Sequence, residues 1–136
     1  MADTAVTIEW SGVGLEFVAE HPSGNHHRLD GDGRSAHSPV QALALSLAAC
    51  TSSDVVDIAQ KMRVSFSGLR VDVEADRNPE PPRYFKAVRM IFRVRGLDPA
   101  DRDKIQRAID LSNEKYCSVF HTLRKDLAFS TELVLE

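Results

Sequence analysis

Residues 38–56 read SPVQALALSLAACTSSDVV and decide the fold, because they predict one long helix. Ser38 is a good N-cap, Pro39 suits the first helical position, and Gln41 completes a possible capping box with Ser38. The segment that follows, as far as Cys50, is apolar nearly all round, which is typical of a buried helix. We therefore expect Cys50 to lie on a helix inside the protein core.

The composition fits one soluble domain that covers residues 1–136. It is 43% hydrophobic and 27% charged, with a formal net charge of -3, which argues against a nucleic-acid-binding protein. The N-terminus lacks the pattern of a signal peptide, and no apolar run approaches the roughly 18 residues of a membrane span. We expect a cytoplasmic protein with no nucleic-acid or membrane partner, in a compartment that keeps thiols reduced.

The other segments predict strands on both sides of the long helix and shorter helices near the C-terminus. Alternating apolar and polar residues predict strands at residues 3–10, 15–19, 26–30, 69–75, 88–95 and 129–136. Helices are expected at residues 38–63, 98–113 and 116–125, with Cys117 in the first turn of the last. Runs of like elements favour an α+β fold with mainly antiparallel strand pairing.

The two cysteines, Cys50 and Cys117, allow two interpretations. In one, a Cys50 thiolate attacks a hydroperoxide to form a sulfenic acid, and Cys117 condenses with it to a disulfide. In the other, both cysteines are small apolar core residues. His121 follows Cys117 by four residues and could ease its deprotonation or complete a metal site with both cysteines, but a core or surface histidine is the commoner case.

Two segments resemble the cysteine motifs of the OsmC/Ohr family. The first comprises the SP pair at residues 38–39, LAACT at 47–51, DVV at 54–56 and KMR at 61–63, and the second is DLSNEKYCSV at residues 110–119. The predicted order of elements agrees with that family, so the resemblance covers essentially the whole chain. It implies an OsmC-like fold in which antiparallel sheets wrap around a long central helix, within an intertwined homodimer.

The resemblance also implies a function and roles for both cysteines. OsmC/Ohr proteins are thiol-dependent peroxidases that reduce organic hydroperoxides, and the motifs match Cys50 to the peroxidatic cysteine and Cys117 to the resolving cysteine. The resemblance implies that a dithiol reductant, often of lipoyl type, reopens the Cys50–Cys117 disulfide. It implies no cofactor and no metal ion.

The chain departs from the family pattern at two positions. Family peroxidases carry a glutamate directly after the helix proline, and it orients an arginine from the turn after the first strand. Here Val40 occupies the glutamate position, and the turn contains Val13 but no arginine.

A buried thiol needs a nearby cation to ionise at neutral pH, and Arg28, Arg34 or a histidine of the 26–37 loop could supply it for Cys50. We favour Arg34, because this loop leads into the helix cap, although a solvated loop charge is the commoner case. The departures also favour an alternative, a non-enzymatic OsmC-fold protein that senses redox state or binds a ligand.

Overall fold

The computed structural model describes residues 2–136, which form two compact units. The first unit ends at Ala44 and the second begins at Leu45. The strands are β1 (Glu9–Trp10), β2 (Glu16–Glu20), β3 (His26–Asp30), β4 (Gly68–Arg77), β5 (Phe85–Arg95) and β6 (Ala128–Leu135). The α-helices are α1 (Pro39–Lys61), α2 (Arg102–Leu111) and α3 (Ser118–Thr122), with a 3-10 turn at Pro99–Asp101 and a π turn at Ser112–Tyr116. The predicted α+β class is confirmed.

In the first unit, β1, β2 and β3 form an antiparallel sheet in that order. The predicted strand at residues 3–10 is wrong for most of its length, because only Glu9 and Trp10 pair with β2. Val6 and Ile8 alternate with polar residues, yet they are 91% and 47% exposed in the single chain. Alternation fits a strand only where a neighbouring strand supplies hydrogen bonds, and pairing with β2 stops at Glu9 although β2 itself continues to Glu20.

A buried carboxylate organises the loop between β3 and α1. Asp30 Oδ2 accepts hydrogen bonds from the backbone N–H and the hydroxyl of Ser35, at 3.0 and 3.1 Å. The backbone N–H groups of Asp32 and Arg34 donate to the same carboxylate at 3.0 and 3.1 Å. These donors, led by the Ser35 backbone, lower the pKa of Asp30 from 3.8 to about 2.

The start of α1 forms the predicted capping box. The backbone N–H of Ser38 donates to Gln41 Oε1 at 2.9 Å, and the Gln41 N–H donates to Ser38 Oγ at 3.2 Å. The helix ends at Lys61, close to the predicted end, and the Lys61 ammonium pairs with Asp57 one turn earlier at 2.8 Å. The local sequence therefore determined both ends of α1 to within about two residues.

The prediction that α1 is buried nearly all round is wrong for the single chain. Its buried residues form one stripe with a four-residue spacing: Leu47, Thr51, Val55 and Ala59. By length and composition alone, α1 is also apolar enough to cross a membrane. Within the single chain, 22% of its most apolar stretch is buried. The stripe packs into the core of the second unit, so α1 is a core helix with an apolar face left open on the other side.

The second unit is built on the sheet β4-β5-β6. β4 and β5 pair antiparallel, with Val73 opposite Met90, but β5 and β6 pair parallel, with Phe92 opposite Leu133. The expectation of antiparallel sheets is therefore wrong for β6. The chain leaves β5 at Gly96, whose φ is 71°, and passes through α2, the π turn and α3 before it enters β6. Such a helical crossover carries the chain back to the other end of the sheet, so that β6 runs in the same direction as β5.

One face of this sheet packs against the helices and forms the core of the second unit. The largest fully buried side chains come from β5, α1, α2 and the segment after it: Phe92, Met90, Val94, Leu47, Val55, Thr51, Ile105, Ile109, Ser112 and Cys117. Most are apolar, and three carry a hydroxyl or a thiol. The polar members lie where α1 meets the segment that follows α2, and they define the candidate site.

The C-terminal helices are shorter than predicted. α2 ends at Leu111, where the backbone widens into the π turn, although the sequence predicted a helix to residue 113. The helix predicted at residues 116–125 is α3, which begins only at Ser118. Cys117 is its N-cap and has extended backbone angles, φ -74° and ψ 101°, so it precedes the first turn and does not belong to it.

We predict that Asp30→Asn destabilises the protein in a pH-dependent way. The pKa of Asp30 is lower when folded than its ordinary value of 3.8, so the carboxylate stabilises the fold above about pH 4. This contribution is lost as the pH falls from 4 towards 2. Urea denaturation across this pH range should give a lower midpoint for Asp30→Asn than for wild type at pH 6, with the two midpoints converging near pH 2.

Asp32→Asn is the matched control, because Asp32 is exposed and contributes its backbone N–H to the loop. Its midpoint should follow wild type at every pH. A difference between Asp30→Asn and wild type that does not change with pH would contradict this account of the loop.

Candidate functional site

The fold brings the two cysteines of the second unit together. Cys50 lies on α1 beside the buried stripe and is half-buried, whereas Cys117 lies between the π turn and α3 with a relative exposure of 0%. Both are free thiols, and Cys50 lies near enough to Cys117 to influence the ionisation of its thiol. Two residues far apart in the sequence therefore share one site.

The π turn determines where Cys117 lies. Its backbone N–H donates to the Ser112 carbonyl at 2.8 Å, which closes the wide turn. The Cys117 sulfur then accepts the backbone N–H of Phe120 at 3.4 Å, as the N-cap of α3. Single π turns within helical segments often occur at functional sites, because they redirect one side chain without ending the helical path.

A threonine completes the surroundings of Cys117. Thr51, directly after Cys50 on α1, is fully buried and its hydroxyl donates to the Cys117 sulfur at 3.4 Å. Burial raises the pKa of the Cys117 thiol, the Thr51 and Phe120 hydrogen bonds oppose that rise, and the Cys50 thiol adds to it. Burial is the largest effect, so the Cys117 thiol stays protonated to a higher pH than an ordinary cysteine.

A second hydrogen bond joins α1 to the π turn. The hydroxyl of Ser112, which is fully buried, donates to Asp54 Oδ2 at 2.8 Å. Asp54 lies one turn after Cys50 on α1. Ser112 therefore makes two bonds: its hydroxyl donates to Asp54, and its backbone carbonyl accepts the Cys117 N–H. Asp54, Ser112 and Cys117 are therefore linked by consecutive hydrogen bonds.

Sequence reasoning singled out the cysteines but missed Thr51 and Ser112. A signal for Thr51 was present, because it stands in the four-residue spacing of Leu47, Val55 and Ala59, where a polar residue needs a partner. Ser112 carried no comparable signal, since its partner Asp54 lies 58 residues away in the sequence.

The remaining candidate residues make other contacts. Arg34 belongs to the first unit, where its backbone N–H donates to Asp30, and its role beside Cys50 stays a prediction. His121 is exposed and its ring contacts Phe120 edge-on, with ring centroids 5.3 Å apart. Across residues 2–136, no three His, Cys, Asp or Glu side chains are grouped so that they could hold a metal ion.

The arginines of β5 form ion pairs across the sheet. Arg93 pairs with Asp72 at 2.8 Å, and Arg89 pairs with Glu74. The hydrogen bond from Arg93, followed by that from Arg70, lowers the pKa of the Asp72 carboxyl. We interpret this surface as a solvated sheet face that lies apart from the cysteines.

The chain has an α+β fold in which two free thiols lie near each other, and comparison with known proteins gives the family. The family described as OsmC-like protein matches residues 31–132. The chain is 38% identical to "Protein YhfA" of Escherichia coli over 130 residues. This alignment covers 93% of the present chain and 96% of the relative. The chain belongs to the OsmC-like family.

Solved structures agree with this fold. An organic hydroperoxide resistance protein OsmC from Legionella pneumophila superposes with a TM-score of 0.68 at 19% identity, covering 98% of this chain and 99% of that one. The organic hydroperoxide resistance protein OhrB of Bacillus subtilis superposes with a TM-score of 0.62 at 18% identity, covering 97% and 99%. At these identities the likeness concerns the fold alone.

We predict that Ser112→Ala weakens the link between α1 and the π turn. The change removes the donor to Asp54 and should lower the free energy of unfolding by about 1–2 kcal/mol, because a half-buried carboxylate loses its partner. Denaturant unfolding measures this loss. Ser118→Ala, at an exposed position of α3, is the control and should change stability by less than about 0.5 kcal/mol. Equal effects of the two changes would rule out a stabilising Ser112–Asp54 bond.

Proposed function

We propose that this protein is a thiol-dependent peroxidase that reduces organic hydroperoxides. The observation that carries the proposal is the proximity of two free thiols, one half-buried and one fully buried, in an OsmC-like fold. Two structural neighbours are named organic hydroperoxide resistance proteins, which supports the same class of substrate.

The exposure of the two sulfurs supports their roles. Cys50 is the more accessible, so its thiolate attacks the terminal oxygen of the hydroperoxide, the O–O bond breaks, and the alkoxide leaves and takes up a proton as an alcohol. Cys50 is left as a sulfenic acid. The Cys117 sulfur then attacks the Cys50 sulfur, the S–O bond breaks, and water leaves with the thiol proton. A small-molecule dithiol, which we propose to be of lipoyl type, reduces the disulfide and is itself oxidised.

The proposed mechanism needs a cation that favours the Cys50 thiolate. We keep Arg34 as the proposed group, since Val40 and Val13 occupy the positions at which family peroxidases hold their glutamate and arginine. We also propose a cytoplasmic location, on the composition and family of the chain.

A second function is favoured by the electrostatics of Cys117. Within the described residues, the groups that shift its pKa are a hydroxyl, a backbone N–H and the other thiol, and none is a cation. Val40 and Val13 also stand where family peroxidases hold the glutamate and the arginine of the reactive cysteine, and a reactive cysteine without a neighbouring cation attacks peroxide slowly. The alternative is therefore a non-enzymatic redox-sensing or ligand-binding protein, in which the same disulfide forms slowly and without turnover.

We further propose that the protein is an intertwined homodimer in which α1 is central. Leu43 and Leu45 on α1 are 40% and 47% exposed in the single chain, and Trp10 and Leu15 of the first unit are also exposed. Large apolar side chains clustered on one helix are typical of a subunit interface. A second copy of this chain is the proposed occupant.

The peroxidase proposal predicts the masses of the oxidised protein. One equivalent of an organic hydroperoxide, added to reduced wild type, should remove two hydrogens (about 2 Da) within seconds, as the disulfide forms. Cys117→Ser should instead gain one oxygen on Cys50, which a sulfenic-acid reagent would trap. Cys50→Ser should remain unmodified. Intact-mass measurements of the quenched samples distinguish these products.

The rate separates the two functions. Turnover with dihydrolipoamide and hydroperoxide supports the peroxidase, whereas a disulfide that forms only over hours and without turnover supports the sensor. Free thiols in the wild type after prolonged exposure would leave ligand binding as the remaining alternative.

The dimer proposal predicts that Leu45→Glu produces monomers. The interface would lose the burial of a leucine, roughly 1.5–3 kcal/mol per protomer, and would gain a buried charge. Light scattering after gel filtration measures the mass. Gln60→Glu introduces the same charge at an exposed polar position of α1 and should remain dimeric. A monomeric wild type at micromolar concentration would contradict the proposal.

A further inference from the structure

Thr51 is an unusual residue for its position on α1. The other members of the buried stripe are Leu47, Val55 and Ala59, and Thr51 is as buried as they are. A buried hydroxyl is costly unless it finds a partner. The Thr51 hydroxyl donates to the Cys117 sulfur, 66 residues away in the sequence, at 3.4 Å.

A nearby serine shows the ordinary behaviour of a helical hydroxyl. Ser53 donates to the Ala49 carbonyl one turn earlier on α1, at 2.7 Å, which is the common local bond for serine and threonine in helices. Thr51 instead directs its hydroxyl across the core to a cysteine. Its proton therefore meets a weak acceptor, which becomes a much stronger acceptor when the sulfur is ionised.

We propose that Thr51 is a positioning residue that holds the Cys117 sulfur and stabilises its thiolate form. The proposal rests on the proposed function in one respect, that Cys117 is the resolving cysteine. It rests otherwise on the geometry alone: a hydroxyl and the Phe120 N–H both donate to one buried sulfur.

The thiolate of Cys117 matters in both directions of the disulfide chemistry. As the sulfenic acid on Cys50 is resolved, Cys117 attacks as a thiolate, the S–S bond forms and hydroxide leaves and is protonated to water. When a dithiol reopens the bond, it attacks Cys50, the half-buried sulfur, and Cys117 leaves as a thiolate. Thr51 keeps its own proton throughout and donates a hydrogen bond to the charged sulfur in both steps.

Titration of the Cys117 thiol tests the proposal without any peroxide. In a Cys50→Ser background, absorbance at about 240 nm follows ionisation of the one remaining thiol, and the Cys50→Ser, Cys117→Ser double variant supplies the tyrosine blank. Thr51→Val keeps the shape of threonine and removes the hydroxyl. The thiolate fraction at a given pH below the pKa should fall about tenfold, because a hydrogen bond to a charged group is lost.

Three further variants complete the design. Thr51→Ser retains the hydroxyl and should titrate close to the Cys50→Ser parent. Thr51→Ala provides a second variant without the hydroxyl, in case Thr51→Val does not fold, and it should show the same shift. Ser53→Ala removes a hydroxyl from the same helix that does not contact Cys117 and should leave the titration unchanged.

The decisive comparison is between the hydroxyl-bearing and hydroxyl-free variants. Equal Cys117 titrations in Thr51→Val, Thr51→Ala and the parent would overturn the proposal, whatever the stability of each protein. The result does not depend on turnover, so a wild type that fails to reduce hydroperoxides overturns the proposed function and leaves the role of Thr51 to be judged by the titration. In the protein with both cysteines, Thr51→Val should also slow reduction of the disulfide by a dithiol at neutral pH about tenfold.

Discussion

The site depends on two hydrogen bonds that cross the core of the second unit, from Thr51 to Cys117 and from Ser112 to Asp54. They join α1 to a segment roughly sixty residues later. Apolar packing also holds these elements together, but it is not directional and tolerates small displacements. Hydrogen bonds fix distances and angles more narrowly, and the proposed chemistry needs one sulfur to remain within bonding reach of the other.

The same burial that holds Cys117 in the core opposes ionisation of its thiol. At Cys117 the loss of solvation outweighs the donors from Thr51 and Phe120, so the pKa of its thiol is raised. A thiol in that state is a poor first nucleophile for a hydroperoxide at neutral pH. It is suited to the later step of the proposed mechanism, in which its target is a neighbouring sulfenic acid and proximity compensates for low reactivity. The difference in burial therefore supports the proposal that Cys50 makes the first attack.

The sequence was a good guide wherever the relevant interaction is local. The capping box of Ser38 and Gln41 lies within four residues, so it and the start of α1 were predicted correctly. The direction of β6 was not, because parallel pairing with β5 depends on a crossover through two helices and a π turn. The π turn itself has no sequence rule comparable to an N-cap, and it moves Cys117 from the first turn of α3 to its cap.

The candidate site divides in the same way. The cysteines were identified from their motifs. Thr51 and Ser112 acquire their roles only from partners that are 66 and 58 residues away in the sequence, with β4, β5 and α2 in between. The apolar face of α1 is a related case, because its composition indicated burial and the single chain buries only one stripe. An apolar composition indicates that a helix face is buried, but it does not indicate whether the same chain or a second chain buries it.

The peroxidase and the sensor share most of this structure and differ in one property, the ionisation of Cys50. The proximity of the two cysteines and the bond from Thr51 to Cys117 would serve disulfide formation in either proposed function, whether it is fast or slow. Val40 and Val13 replace the pair that family peroxidases use near the reactive cysteine, so they bear on the first step and leave the second untouched. A chain that formed no disulfide would have no requirement for a buried hydroxyl at position 51, since valine there would pack as well and carry no cost of desolvation. Thr51 and its bond to Cys117 therefore support the proposal that the Cys117 thiolate is used in both of the proposed functions.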